Sequence, residues 1–302
     1  MTVSILAKHP SNNHCIIGLL YKLLMVAIFC TGLQGCSIPR LAYNNANNFA
    51  YWWINDYLNL NNSQVPIVKD QLEVLHKWHR SHELQLYAKL LDQMAAAATK
   101  DVTPEQLCEF QSQIPERYLA FAEQAIPAIA IIVPTIDPTQ LENISHQFNK
   151  NNEKWLQDWP MNKPQKIKER RLEQWIERLN DYYGTLSTQQ ANYLRIRIDQ
   201  SSYDASLVFL EALRRQHEIL ESFRRFNEHK INQIEIQKEL RVLFAQSLHS
   251  PNKTYRTQQD NLWKENCQTI AGLHNLSEPT QRVKLRKKIQ GLATVTQSLA
   301  NS

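Results

Sequence analysis

Glycine is scarce in this chain. Six of the 302 residues are glycine, and only Gly184, Gly272 and Gly291 lie beyond Cys36, where ordinary usage of about 7% would supply many more. β-Hairpin turns lean on Gly, Asn-Gly or Asp-Gly, and neither dipeptide occurs after Cys36. Few hairpins can be built. Gly184 follows WIERLNDYY and Gly272 follows ENCQTIA, two places where a helix would end on a left-handed residue. Also missing are a Gly-rich phosphate loop, a Gly-x-Ser-x-Gly elbow and a Cys-x-x-Cys pair, so the commonest nucleotide, serine-hydrolase and dithiol sites are excluded. The expectation is an all-α protein, an irregular multi-helix bundle.

Acidic residues are absent from the first 35 positions, which instead carry Lys8, His9, His14 and Lys22 around a short apolar run, Leu23 to Cys30. Eight apolar residues cannot span a hydrocarbon core of about 30 Å; with basic flanks they read as the h-region of a signal peptide. Leu33-Gln34-Gly35-Cys36 follows and resembles the bacterial lipobox, in which the cysteine is acylated and becomes the new N-terminus. Gln34 is bulkier than the residue usual there. A thioether-linked diacylglycerol needs a sulfur nucleophile and the peptidase needs a small residue before the cut bond; Cys36 and Gly35 supply both. Several acyl chains, at about 0.8 kcal/mol per CH₂, tether a protein to a membrane without spanning it. Ser37, in place of the Asp of an inner-membrane retention signal, points to the outer membrane, with the body facing the periplasm.

Residues 1–35 are thus expected to be a lipoprotein signal peptide and 36–302 an α-helical periplasmic domain. The leader removes two lysines and no carboxylate, leaving 32 basic against 29 acidic side chains, a net charge of +3. That is too little to argue for nucleic acid as a partner. Cys108 and Cys267 remain, an even pair in a compartment that permits disulfides. They are either bridged or two buried thiols.

Along the body, residues 41–60 carry Tyr43, Phe49, Trp52, Trp53 and Tyr57, an aromatic helix that packs on the domain or sits at headgroup level. Ser63 is placed to cap a long helix reaching about Ala98. Val102-Thr103-Pro104-Glu105-Gln106, Ile136-Asp137-Pro138-Thr139-Gln140 and Leu186-Ser187-Thr188-Gln189-Gln190 each give an apolar residue, a capping oxygen and Gln at N3, the marks of a helix start. Leu276-Ser277-Glu278-Pro279 is a fourth. The pattern is similar to the Leu-Thr-x-x-Gln motif of small periplasmic chaperones, although capping chemistry alone accounts for it. Pro127, Pro134 and Pro138 are expected to prevent one continuous helix through the apolar run 125–133, which is expected to be buried. From Ser187 to Leu248 there is neither Pro nor Gly, and nearly uninterrupted helix is expected with a break near Asn227. The last segment, from Thr280 to Ala300, reads as a basic amphipathic helix whose charges form a solvated face.

The densest cluster of chemistry is EVLHKWHRSHELQLY, residues 73–87. Helical spacing puts His76, His79 and Glu83 on one face, a set that could ligate zinc and serve a metal-dependent hydrolase. The spacing is not the His-Glu-x-x-His of metalloproteases. Trp78, His79, Arg80 and Glu83 are therefore read as a structural or binding cluster, with Arg80 and Glu83 pairing at i and i+3. Tyr57-Leu58-Asn59-Leu60, Gln71, Trp78-His79-Arg80, Glu83-Leu84 and Tyr87, behind a lipobox, resemble a family of uncharacterised Gram-negative lipoproteins over most of residues 36–250. That resemblance implies a helical lipoprotein with no catalytic residue, metal or cofactor to carry over. The function expected is that of a lipid-anchored envelope protein, not an enzyme, acting on a protein partner or on the envelope itself.

Overall fold

The computed structural model describes residues 37–302; the leader, the lipobox and Cys36 lie outside them. Among the described residues the chain is helical with no strand, as the missing hairpin turns require. It runs α1 (Ser37–Asn44), α2 (Ala46–Leu58), α3 (Gln64–Trp78), a π-helical turn (His79–Glu83) and α4 (Leu84–Ala97), then α5 (Pro104–Ile132) and a 3-10 turn (Val133–Thr135). Thereafter come α6 (Pro138–Asp158), α7 (Pro164–Tyr183), α8 (Thr188–Asp199), α9 (Ala205–Glu228), α10 (Gln233–Leu248), α11 (Lys253–Asn275) and α12 (Pro279–Ala300).

The capping signals fall where expected. Thr103, Asp137 and Ser187 each accept the N3 amide of Gln106, Gln140 and Gln190, whose side chains return a bond to the cap backbone. Gln281 does the same for Glu278. Three boundaries differ. The cap of α3 is Asn61 and not Ser63: Asn61 Oδ1 accepts the Gln64 amide while Gln64 Oε1 accepts the Asn61 amide, a fifth box that the Asn-rich sequence concealed. α5 runs through Pro115 and Pro127, each of which costs up to about 3 kcal/mol inside a helix. Burial of Ala122, Ala125, Ile126, Ala130 and Ile132 offsets that cost, and the helix stops only at Pro134. Between α8 and α9 the chain breaks at 200–204 as well as after Glu228. There Glu265 of α11 accepts the Ser201 hydroxyl and the Ser202 amide, and Gln258 accepts the Asp204 amide, partners more than fifty residues away.

Two main cores form. One gathers Ala95 and Ala98, Leu172 and Leu179 of α7, Leu194 and Ile198 of α8, Leu273 of α11, and Leu285 and Ile289 of α12. The other joins Ile126, Ala130, Val133 and Ile136 to Phe226, Ile236 and Leu240, so the inward side of the apolar run is buried as expected, while Pro127 and Ile131 stay exposed. α12 lies antiparallel along α4, since Leu84 meets Leu299 while Ala95 shares a core with Leu285. α5 packs on α3, α10 and α11. Among the described residues, the segment Pro104–Thr135 alone is long and apolar enough to cross a membrane by length and composition; here it is the central core helix. Cys108 of α5 is disulfide-bonded to Cys267 of α11, 159 residues on. In the chain-entropy account, closing so long a loop removes about 5 kcal/mol of unfolded-state freedom.

Gly184 ends α7 with φ 85°, as the sequence suggests. Gly272 does not end a helix. It lies inside α11, where a Cβ would come 2.1 Å from the Tyr193 hydroxyl, so its role is close approach.

Each core is closed by a pair of glutamines. Gln64 and Gln140, 1% and 3% exposed, exchange amide hydrogen bonds of 3.1 and 2.8 Å. Gln64 also donates to the Thr135 carbonyl and Gln140 to that of Leu58. Gln190 and Gln281 repeat the arrangement, exchanging bonds of 2.9 and 3.1 Å while donating to the carbonyls of Leu276 and Thr185. Thr135 and Thr185 each stand five residues before their glutamine. In both clasps two helix N-termini meet, and each glutamine caps its own helix with its oxygen while binding the opposite helix.

Gln140→Leu breaks both amide bonds to Gln64 and leaves the Leu58 carbonyl and the Asp137 amide without their Gln140 partner, and should cost about 1–3 kcal/mol, the penalty of buried polar groups left unpaired. Gln64→Leu combined with Gln140→Leu should cost less than the sum of the single changes, with a coupling of at least about 0.5 kcal/mol in denaturant unfolding. Additive losses would mean the two amides act independently.

Candidate functional site

The segment 73–87 is where regular geometry gives way. Between α3 and α4 the helix widens into one π turn at His79–Glu83, a feature that recurs at functional sites. The extra residue re-aims the side chains on either side of it. His79 and Arg80 turn toward α1, whereas Glu83, 2% exposed, turns inward to α5.

The α1 side is a clasp on the N-terminal helix. The Tyr43 hydroxyl lies 2.8 Å from His79 Nδ1, and the Tyr43 ring packs 4.8 Å from that of His76. Arg80 donates from Nη2 to Asn44 Oδ1 at 2.7 Å and from Nη1 to Ser302 Oγ at 2.8 Å, with its guanidinium 5.3 Å from the centre of the Tyr43 ring. One arginine thus ties α1 and the C-terminus of the chain to the π turn. Trp78 stacks on His82 at 5.9 Å and meets His79 edge-on. The pairing of Arg80 with Glu83 expected from i, i+3 spacing does not form, because the π turn carries the two side chains in different directions.

On the inner side, Arg117 of α5 approaches Glu83 at 3.3 Å. The Tyr87 hydroxyl lies against the same carboxyl, yet Glu83 Oε2, Tyr87 OH and His76 Nε2 complete no hydrogen bond. Burial dominates the electrostatics. It pushes the Glu83 carboxyl up in spite of Arg117, raises the Tyr43 and Tyr87 phenols, and, helped by His76, holds the His79 imidazole down at about 4. His79 is therefore neutral at pH 7, and Tyr43, which keeps its proton, is the donor to its Nδ1.

This arrangement fits holding better than ligation. Among the described residues no three His, Cys, Asp or Glu side chains converge to hold a metal ion: His79 is engaged by Tyr43 and Glu83 by Arg117. Trp78, His79, Arg80 and Glu83, adjacent in sequence, divide here between an outer group and an inner carboxyl, and their partners Tyr43, Asn44, Arg117 and Ser302 reach them from distant segments. Only Tyr87 carried a signal, as part of the motif. Cys36 lies outside the described residues.

Residues 56–256 match the pattern of a family described as a family of unknown function, DUF6279. The chain belongs to this family. The segment matched by DUF6279 begins one residue before Tyr57 and holds the whole π turn, Glu83 and Arg117, while Tyr43 and Cys267 fall outside it. No curated protein and no solved structure matches the chain.

Arg80→Ala should loosen α1 and lower the melting temperature by a few degrees, from a loss of about 1–2 kcal/mol; an unchanged melt would place the hold on α1 elsewhere. Acid should act through His79. Its folded pKa lies below the unfolded value, so its contribution is complete above about 6.5 and is lost as the pH falls toward 4. Glu83, raised in the fold, works in the opposite sense, its contribution fading as the pH rises above its unfolded value. Melting followed from pH 7 to pH 4 should therefore fall less steeply for His79→Asn than for the natural chain, and equal slopes would refute the assignment.

Proposed function

We propose that this protein is a lipoprotein of the cell envelope, cut before Cys36, held by acyl chains on the outer membrane and facing the periplasm, and that its helical body acts without catalysis by contacting another protein or the envelope. The lipobox at Leu33-Gln34-Gly35-Cys36, behind a basic leader with a short apolar run, is the observation that carries the anchor. The clasp of Tyr43, Asn44, His79 and Arg80 supports the rest. It spends the most unusual geometry in the described chain on fixing the helix that follows the anchor, so that the tether leaves the body in one direction. Membership of DUF6279 is consistent with this and carries no activity with it.

A metal-dependent hydrolase built on His76, His79 and Glu83 gains no support from the geometry. The chaperone-like alternative rested on a motif whose glutamines, Gln106, Gln140 and Gln190, are occupied in capping, the last two also in the clasps.

Expression in a Gram-negative host with labelled palmitate tests the anchor. The natural chain should take up label and shorten by the leader, whereas Cys36→Ser should remain a full-length precursor without label, since serine offers no thiolate to the acyl donor. Labelling of the serine variant would refute the lipobox assignment.

A further inference from the structure

From Leu41 to Asn55 the chain carries no charged side chain, between Arg40 and Asp56. Its outward positions, Leu41, Asn44, Asn48, Phe49 and Trp52, recur at helical spacing along α1 and α2. Leu41 is 67% exposed and Trp52 59%, and Phe49 meets Trp52 edge-on at 5.5 Å. The opposite side of the same helices is committed to the body: Tyr43 reaches His79, and Tyr57 packs against Phe148. An apolar and amide face with no charged side chain of its own, bordered by the Arg80 guanidinium at Asn44 and presenting an exposed tryptophan, matches the boundary between headgroups and acyl chains, where Trp is enriched. Ile196 offers a contrast: 55% exposed, it stands between Arg195 and Arg197.

Position in the chain selects the occupant. Cys36 is the residue before α1, and at 1.5 Å per helical residue the path from Ser37 to Trp52 is no longer than about 23 Å. With α1 fixed to the π turn through Arg80 and His79, these helices cannot swing freely from the bilayer that holds the acyl chains. We propose that the outward face of α1 and α2 seats in the headgroup region of the anchoring membrane, with Phe49 and Trp52 at the apolar boundary. This rests on acylation at Cys36. It turns a flexible tether into a two-point attachment that sets which side of the body faces the periplasm.

The test uses the full chain in a Gram-negative host, with a photoreactive amino acid placed singly at Leu41, Phe49, Trp52 or Ile196. Acylation is followed by palmitate label, and adducts to phospholipid are read by mass spectrometry of the purified protein. Lipid adducts are expected at 41, 49 and 52 and not at 196. Palmitate label without lipid adducts at 49 and 52, or with adducts to protein there instead, would overturn the seating and leave the anchor standing. Equal lipid adducts at 196 would also overturn it. Failure to take up palmitate would remove the anchor and the seating with it.

Discussion

An α-helix leaves its first four N–H groups without a partner inside the helix, and a protein made of helices with almost no glycine must settle that debt at each start. At α9, α10 and α11 a lone Asp204, Asn232 or Asn252 does so, while at α3, α5, α6, α8 and α12 the solution is one residue type. A short polar side chain caps the helix from one side, and Gln at N3 returns the bond with its oxygen. The amide nitrogen of the same glutamine is then left over, and in a buried position it needs an acceptor. Pairing the N-terminus of α3 with that of α6, and α8 with α12, gives each glutamine nitrogen the opposite glutamine's oxygen and a backbone carbonyl. The requirement to satisfy local backbone groups thereby becomes a long-range constraint, fixing which helices meet and at which ends.

The π turn at His79–Glu83 relaxes that regularity in one place. A straight helix from Gln64 to Ala97 would repeat its faces at 3.6 residues per turn, and side chains at 79, 80 and 83 would be tied to one another. The wider turn separates them into an outer group that grips α1 and an inner carboxyl that meets Arg117. A buried Glu with one partner and an unfilled oxygen is costly, so the turn is maintained against its own electrostatics by the packing of Leu84 with Leu299 and Tyr43. The cost is borne next to the point where the chain leaves for the membrane in the proposed arrangement.

Local chemistry was legible in the sequence and distant chemistry was not. Glycine content, the Thr103, Asp137 and Ser187 starts, the helix end at Gly184 and the burial of Ala125, Ile126, Ala130, Ile132 and Val133 all follow from a few adjacent residues. The failures share a cause in tertiary contacts. Pro127 is tolerated because its helix is central to the core; the break at 200–204 exists because Glu265 and Gln258 reach across to it; Gly272 is required by Tyr193 and not by a turn. At the site, His79 and Arg80 were identifiable by their density of chemistry, but the π turn that separates Arg80 from Glu83 leaves no mark in residue spacing. Tyr43 and Arg117 sit 36 and 34 residues from their partners, with nothing in their own neighbourhoods to connect them.

The extent of the DUF6279 match divides these features. Gln64 and Gln140, both halves of the first clasp, lie inside residues 56–256, as do Glu83 and Arg117. Of the second clasp only Gln190 is inside; Gln281 belongs to α12, beyond the match, and so does Cys267 of the disulfide. The helix bearing Gln281 is also the one that lies along α4 and places Ser302 beside Arg80. The segment defining the family therefore contains the π turn but not the two terminal elements, α1 and α12, that the π turn holds. His79 also meets Tyr87 and Phe121 inside the matched segment, so the motif joins the family's own core to α1 and to Ser302 at once, and under the proposed anchoring that junction would set how the body is presented.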